Sequence, residues 1–159
     1  MLRFLDAVQA IAVTFWVGAL WTSGLLVAPL LFRMLEDRTL AGTIAGSLFA
    51  TTTLIGIVCG ACILIVWFLS QRGRAPHHYV LAWLVVAMLA VALIGQYGIQ
   101  PVLASLRAQA YPQPVMQSIF ADSFSRWHAV AGIFYLVQSL LGAGLVISMR
   151  CTGIVPAKD

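Results

Sequence analysis

Charged residues interrupt this chain so rarely that their spacing outlines its architecture. Between Asp6 and Arg33 lie 26 uncharged residues, between Arg38 and Arg72 there are 33, between Arg74 and Arg107 there are 32, and between Arg126 and Arg150 there are 23. A helix rises about 1.5 Å per residue and needs about 20 apolar residues to cross the roughly 30 Å hydrocarbon layer. Each stretch is therefore long enough for one crossing, and none is long enough for two. Inside the stretches, runs such as Ile63-Leu64-Ile65-Val66 and Leu84-Val85-Val86-Ala87 do not alternate apolar with polar, so they do not read as barrel strands. The pattern predicts an all-α, transmembrane four-helix bundle of antiparallel up-down topology. It forms a single domain over residues 1–159, with spans at about 5–32, 40–69, 79–106 and 127–149.

The first apolar stretch is longer than the 7–15 residues of a signal-peptide core, and no small-x-small cleavage site follows it, so it reads as a retained span. Pro29 and Pro101 fall near the far ends of spans one and three, where each removes a backbone donor and loosens the helix. The loop Gln71-Arg72-Gly73-Arg74-Ala75-Pro76-His77-His78 reads as a short basic hairpin. Between Arg107 and Arg126 lies the one long connection. It carries Tyr111-Pro112-Gln113-Pro114 and then a stretch expected to form a short helix, with Val115, Ile119, Phe120 and Phe124 on the membrane surface or plugging the bundle mouth.

Composition agrees with the span pattern: 62% of the 159 residues are hydrophobic and only 9% charged. The net charge of +4 is spread thinly, with no basic stretch long enough to track a phosphate backbone, so lipid headgroups rather than nucleic acid are the expected partners. Four crossings place both termini on one side. That side carries Arg3, Arg72, Arg74, Arg150 and Lys158, against Arg33, Arg38, Arg107 and Arg126 on the other, which favours cytoplasmic termini.

Small residues at four-residue spacing mark faces where helices approach closely in lipid. Gly42 with Gly46 and Gly56 with Gly60 form such pairs on span two, while Gly132 and Gly142 lie with Ser139, His128 and Tyr135 on one stripe of span four. These six glycines are expected to pack helices, and a dimer or another membrane protein is the expected partner of so small a bundle. On span three, Gln96, Gln100 and Arg107 share one helical face, and both this face and a Gly18-Thr22-Pro29-Arg33 stripe on span one grow more polar toward the non-terminal side. Amides in lipid are costly unless they turn toward the bundle interior or a hydrated cavity. The reading is a polar funnel opening on that side, lined by Arg33, Gln96, Gln100, Arg107 and His128 with Tyr135 deeper, that binds or moves a small polar or anionic solute.

Cys59 and Cys62 place two thiols on one face of span two, a soft pair suited to copper, and His128 lacks a histidine partner for haem. The expectation is that no cofactor is bound, with copper or haem handling as the alternative and an assembly or scaffold subunit as a further one. No carboxylate lies within any span, and no nucleophile with an adjacent base is legible, so the chain does not read as an enzyme.

Five motifs together carry a family resemblance: Trp16-x-Gly18, Pro29-x-x-Phe32, Ala41-Gly42-x-x-Ala45-Gly46-x-x-Phe49, Tyr97 and Pro101 before Arg107, and Phe124-x-x-x-His128. The pattern resembles the bacterial family of unknown function related to human transmembrane protein two-hundred-five, over most of residues 5 to 145. The resemblance implies a four-helix protein of the bacterial inner membrane, with Pro29, Gly42, Gly46, Arg107 and His128 at the family-type positions. It also implies a more distant likeness to four-helix proteins of copper-resistance and haem-biosynthesis type, from which this chain departs by lacking paired histidines in its spans.

Overall fold

The computed structural model describes residues 2–69 and 77–151. Four long helices dominate it. Helix α1 is built of an α-helical piece Leu2–Trp21, a π-helical stretch Thr22–Val27 and a second α-helical piece Ala28–Met34. Helix α2 is the uninterrupted Arg38–Leu69. Helix α3 repeats the three-part construction, with α-helical His77–Ile94, π-helical Gly95–Ile99 and α-helical Gln100–Ala110. Helix α4 is Ala121–Cys151, preceded by one 3₁₀ turn, Val115–Gln117. All four are long and apolar enough to cross a membrane, as the charge spacing predicts, and no strand occurs among the described residues. Of the basic hairpin expected at residues 71–78, residues 71–76 lie outside the described residues, as does the polar tail after residue 151, while residues 77 and 78 open helix α3.

Each helix packs on the next in sequence, and α1 packs on α4 to close the ring. The pairings run antiparallel. Along the α1–α2 seam, Phe32 lies against Gly42, Ser23 bonds Thr52, and Trp16 covers Gly56 and Gly60. Along the α3–α4 seam, Leu84 lies against Gly144, Met88 against Gly142, and Arg107 against Phe124.

The two π-helical stretches have the same cause. A proline inside a helix lacks an N–H, and its ring collides with the carbonyl four residues back. In α1 the turn before Pro29 widens, so that the Ala28 N–H reaches Ser23 O, five residues back. In α3 the Gln100 N–H reaches Gly95 O in the same way before Pro101. The correspondence extends along both helices. Pro29 and Pro101 are 72 residues apart, and so are the buried pairs Gln9 and Leu81, Val13 and Val85, Trp16 and Met88, and Leu20 and Ala92. Helices α1 and α3 therefore present inner faces of one design, a likeness that residue identity hides.

The largest apolar cluster occupies the terminal half of the bundle and centres on Val13, Trp16, Ile63, Leu81, Val85, Met88 and Leu145. A smaller one, Ile99, Leu103 and Phe124, closes the opposite end. Outward positions are equally apolar: Phe15, Leu25, Val58, Phe68, Trp83 and Leu140 are all exposed. So much exposed apolar surface has no place on a water-soluble monomer and is satisfied by lipid.

The small-residue faces sort into two kinds. A Cβ at Gly56 would fall inside the Trp16 indole, one at Gly60 would stand 2.7 Å from Leu89 Cδ2, and one at Gly142 would stand 3.4 Å from Val17 Cγ2. Gly42 and Gly46 face side chains at ordinary contact distance. Gly132 has nothing within 4 Å and is exposed, so its expected packing role is not met inside this chain.

The long connection also differs from expectation. Its only helical turn is Val115–Gln117. The Ser118 hydroxyl accepts the Phe120 N–H, and the Ala121 N–H reaches Ser118 O, so helix α4 starts at Ala121, earlier than the expected 127. Phe124 thereby sits in the first turns of α4 and is buried, Val115 packs beside it, and Ile119 is 93% exposed. The mouth is plugged by Val115 and Phe124 rather than by a surface helix.

Gly56→Ala should lower stability in detergent by about 1–3 kcal/mol, because the added methyl must displace Trp16. Gly132→Ala should change it by no more than about 0.5 kcal/mol. Thermal unfolding of the two variants beside the parent checks this, and equal effects would contradict the packing described.

Candidate functional site

Hydroxyls in a membrane helix are ordinarily satisfied by their own backbone, and helix α2 shows how. Thr43, Thr51, Thr52 and Thr53 each donate to the carbonyl four residues back, at 2.8–3.0 Å, and Ser47 donates to Ile44 O. Thr52 is also met across the bundle by Ser23, with 2.9 Å between the two buried hydroxyl oxygens. Since the Thr52 proton goes to Leu48 O, Ser23 is the donor in this pair. Ser23 belongs to the π-helical stretch of α1, and the widened turn is what carries its hydroxyl toward α2.

The residue after Ser23 shows why the same stretch needs a glycine. A Cβ on Gly24 would overlap the ring and hydroxyl of Tyr135, which lies directly over the α1 backbone from α4. Phe49 of α2 meets Tyr135 edge to face, with centroids 5.7 Å apart. Three helices thus converge on Tyr135. The π-helical stretch of α3 packs against α4 as well and carries Gln96.

Against this background four polar atoms stand out. Gln96 Oε1, the Tyr135 hydroxyl, Gln138 Oε1 and Ser139 Oγ are buried without a hydrogen-bond partner. Gln138 is only 6% exposed. Ser139 does not make the backbone bond that the α2 hydroxyls make. By helical rise these groups lie about 20–27 Å along their helices from the non-terminal ends, close to the middle of the membrane. All four fall at a similar depth, between the two apolar clusters along α3 and α4.

The residues expected to line a funnel are distributed differently. Arg33 is exposed on the last turn of α1. Gln96 and Gln100 are half-buried, and Gln100 immediately follows the π-helical stretch. Arg107 is half-buried and reaches inward, its Nη1 3.4 Å from the Cβ position of Gly46 and its guanidinium carbon 5.2 Å from the centroid of Phe124. His128 is exposed and stacks on the same ring, with centroids 6.0 Å apart and planes 12° apart. Arg107 thus stands across the mouth with Phe124, where the sequence pattern suggests an open funnel. Shallow apolar depressions lie on the outer faces of α1 around Thr14 and Gly18 and of α2 around Ile65 and Phe68.

Cys59 and Cys62 are half-buried free thiols, Cys59 packing beside the large apolar cluster. Among the described residues no group of three histidines, cysteines or carboxylates comes together. Sequence reasoning passed over Gln138, Ser23 and Thr52. Gln138 was open to detection, since it shares with Tyr135, Gly142, Leu145 and Met149 the three- and four-residue spacing of an inward face.

A double-mutant cycle of Ser23→Ala and Thr52→Val should return a coupling of about 0.6 kcal/mol and no more than about 1.7 kcal/mol, as for other interhelical hydroxyl pairs in membranes. A coupling of zero in chemical or thermal unfolding would mean that the two hydroxyls do not meet.

No curated protein and no solved structure matches the chain. Residues 11–112 match a family described as a domain of unknown function (DUF4149). The match takes in most of α1 and all of α2 and α3, with both π-helical stretches and Gln96, Gln100 and Arg107 inside it. On a match covering well over half of its length, this multi-pass membrane protein belongs to the DUF4149 family.

Proposed function

We propose that this protein binds a small polar solute in the layer between its two π-helical stretches and passes it part of the way across the membrane, with entry from the non-terminal side when the Val115 and Phe124 plug moves aside. The observation that carries the reading is the set of four buried polar atoms without partners, on Gln96, Tyr135, Gln138 and Ser139. Leaving a buried donor or acceptor unpaired costs about 1–3 kcal/mol, and lipid offers nothing to relieve it. Four such groups in one layer are better explained by an occupant, water or a hydrogen-bonding solute, than by packing.

The two proline-widened turns support the same reading. Short π-helical segments within α-helices are frequent at functional sites, and here both pack against α4, the helix that carries three of the four unpaired groups. The layer holds amides and hydroxyls and no charged side chain, which suits a neutral hydrogen-bonding solute. The proposed role is non-enzymatic and cofactor-free. Copper or haem handling, the alternative, would rest on Cys59 and Cys62 or on His128 with a sulfur ligand such as Met34 or Met116, and among the described residues no three histidines, cysteines or carboxylates come together. The likeness to human transmembrane protein two-hundred-five, a place in the bacterial inner membrane and cytoplasmic termini belong to the same proposal. They are supported by the motifs at Pro29, Gly42, Gly46 and Arg107 and by the cation count of the loops.

The test is a cysteine scan in a background lacking the three native thiols, with a membrane-impermeant methanethiosulfonate reagent as the probe. Cysteines at positions 96, 100 and 138 should react from the non-terminal side, whereas cysteines replacing the lipid-facing Leu93 and Leu140 should be protected. Protection of 96 and 138 equal to that of 93 and 140 would remove the solute path.

A further inference from the structure

The non-terminal end of the bundle holds a cation whose hydrogen bonds are unspent. Arg107 lies in the last turn of α3, and its side chain extends inward to the backbone of Gly46 on α2 and over the Phe124 ring on α4. The contact with Phe124 fixes the guanidinium electrostatically while using none of its five N–H donors. Among the described residues Arg107 makes no hydrogen bond and no ion pair. The acids described on this side make no ion pair with it: Asp37 caps α2 by accepting the N–H groups of Thr39 and Leu40, and Glu36 and Asp122 are exposed.

An arginine near a membrane surface ordinarily snorkels outward to water and headgroups. This one is turned between helices, in contact range of Gly46 and against the face of Phe124, where a less polar surrounding strengthens any charge interaction made there. His128, stacked on the same ring, brings a second nitrogen-bearing side chain to the mouth.

We propose that Arg107, seated on Phe124 with His128 beside it, binds a phosphate-type oxyanion at the mouth of the bundle, supplied by an anionic lipid headgroup or by a free anion. The planar guanidinium presents paired donors that match two oxygens of a phosphate, which a lysine ammonium does not. The seat is separate from the central polar layer, because Arg107 lies 11 residues beyond Gln96, roughly 16 Å along α3. It therefore stands whether or not that layer takes a solute.

The full chain, purified in a neutral maltoside detergent, is titrated separately with short-chain phosphatidylglycerol, with its phosphatidylcholine counterpart and with inorganic phosphate. Binding is read by thermal unfolding and by adducts in native mass spectrometry. An anionic probe should raise the unfolding temperature of the parent and leave one retained adduct. Arg107→Gln should weaken that binding by about tenfold or more. Arg107→Lys should retain part of it. Arg38→Gln, which removes an exposed cation on the same side, and Gln138→Leu, which alters only the central layer, should leave it unchanged. Activity of phosphatidylglycerol alone identifies a lipid as the source, and activity of inorganic phosphate identifies a free anion; either supports the seat. Binding of neither, or equal binding by Arg107→Gln and the parent, overturns it. If Arg107→Gln does not fold, Phe124→Leu takes its place, with binding expected to weaken several-fold and unchanged affinity counting against the proposal.

Discussion

Hydrocarbon offers no hydrogen bonds, and the structure of this chain follows from how its polar groups are satisfied without them. Unpaired backbone groups are costly in lipid, so each crossing closes on itself as a helix. The hydroxyls of α2 follow the same rule by bonding the carbonyl three or four residues back. The prolines obey it in another way. Pro29 and Pro101 each break the regular ladder, and the chain restores most of it by widening one turn into a π-helical stretch instead of kinking into an open gap. Helix association then relies on close approach, seen where Trp16 lies over Gly56 and Tyr135 over Gly24.

That rule gives meaning to the places where it fails. The orphaned atoms of Gln96, Tyr135, Gln138 and Ser139 and the unspent donors of Arg107 contrast with the α2 hydroxyls, which bond their own backbone. They lie at two depths, one near the middle of the membrane and one at its non-terminal face, and the π-helical stretches shape the first. A widened turn shifts the side chains that follow it around the helix, so a proline can decide which residues of a span look inward. In α1 that turn brings Ser23 to Thr52 and leaves Gly24 beneath Tyr135.

Much of the fold was legible from the chain alone, because charge is so costly in lipid that its spacing reports the crossings directly. Gly56, Gly60 and Gly142 were legible as contact residues for a similar reason. Other features depend on the third dimension. Gly132 shares the small-residue spacing of the others yet meets nothing, since periodicity states which residues share a face but not which neighbour that face finds. The prolines were visible, but the π-helical turns that absorb them, and the matching inner faces of α1 and α3, were not. Of the candidate site, polarity within apolar runs singled out Gln96, Arg107 and Tyr135. Gln138 was obscured by the apolar residues around it, and Arg33 and His128 were assigned to an interior that they do not enter. The inward turn of Arg107 toward Gly46 and Phe124 is a relation between helices that no single-helix pattern contains.

The central claim is that four apolar helices cross the bilayer and place the two ends of the ring on opposite sides. Single cysteines at positions 36 and 113, in the first and third connections, and at 72 and 158, in the second connection and the tail, can be labelled with an impermeant thiol reagent in sealed, oriented vesicles. The four-crossing bundle requires 36 and 113 to react from one side, and 72 and 158 from the other. Reaction of 36 and 113 from opposite sides would contradict it.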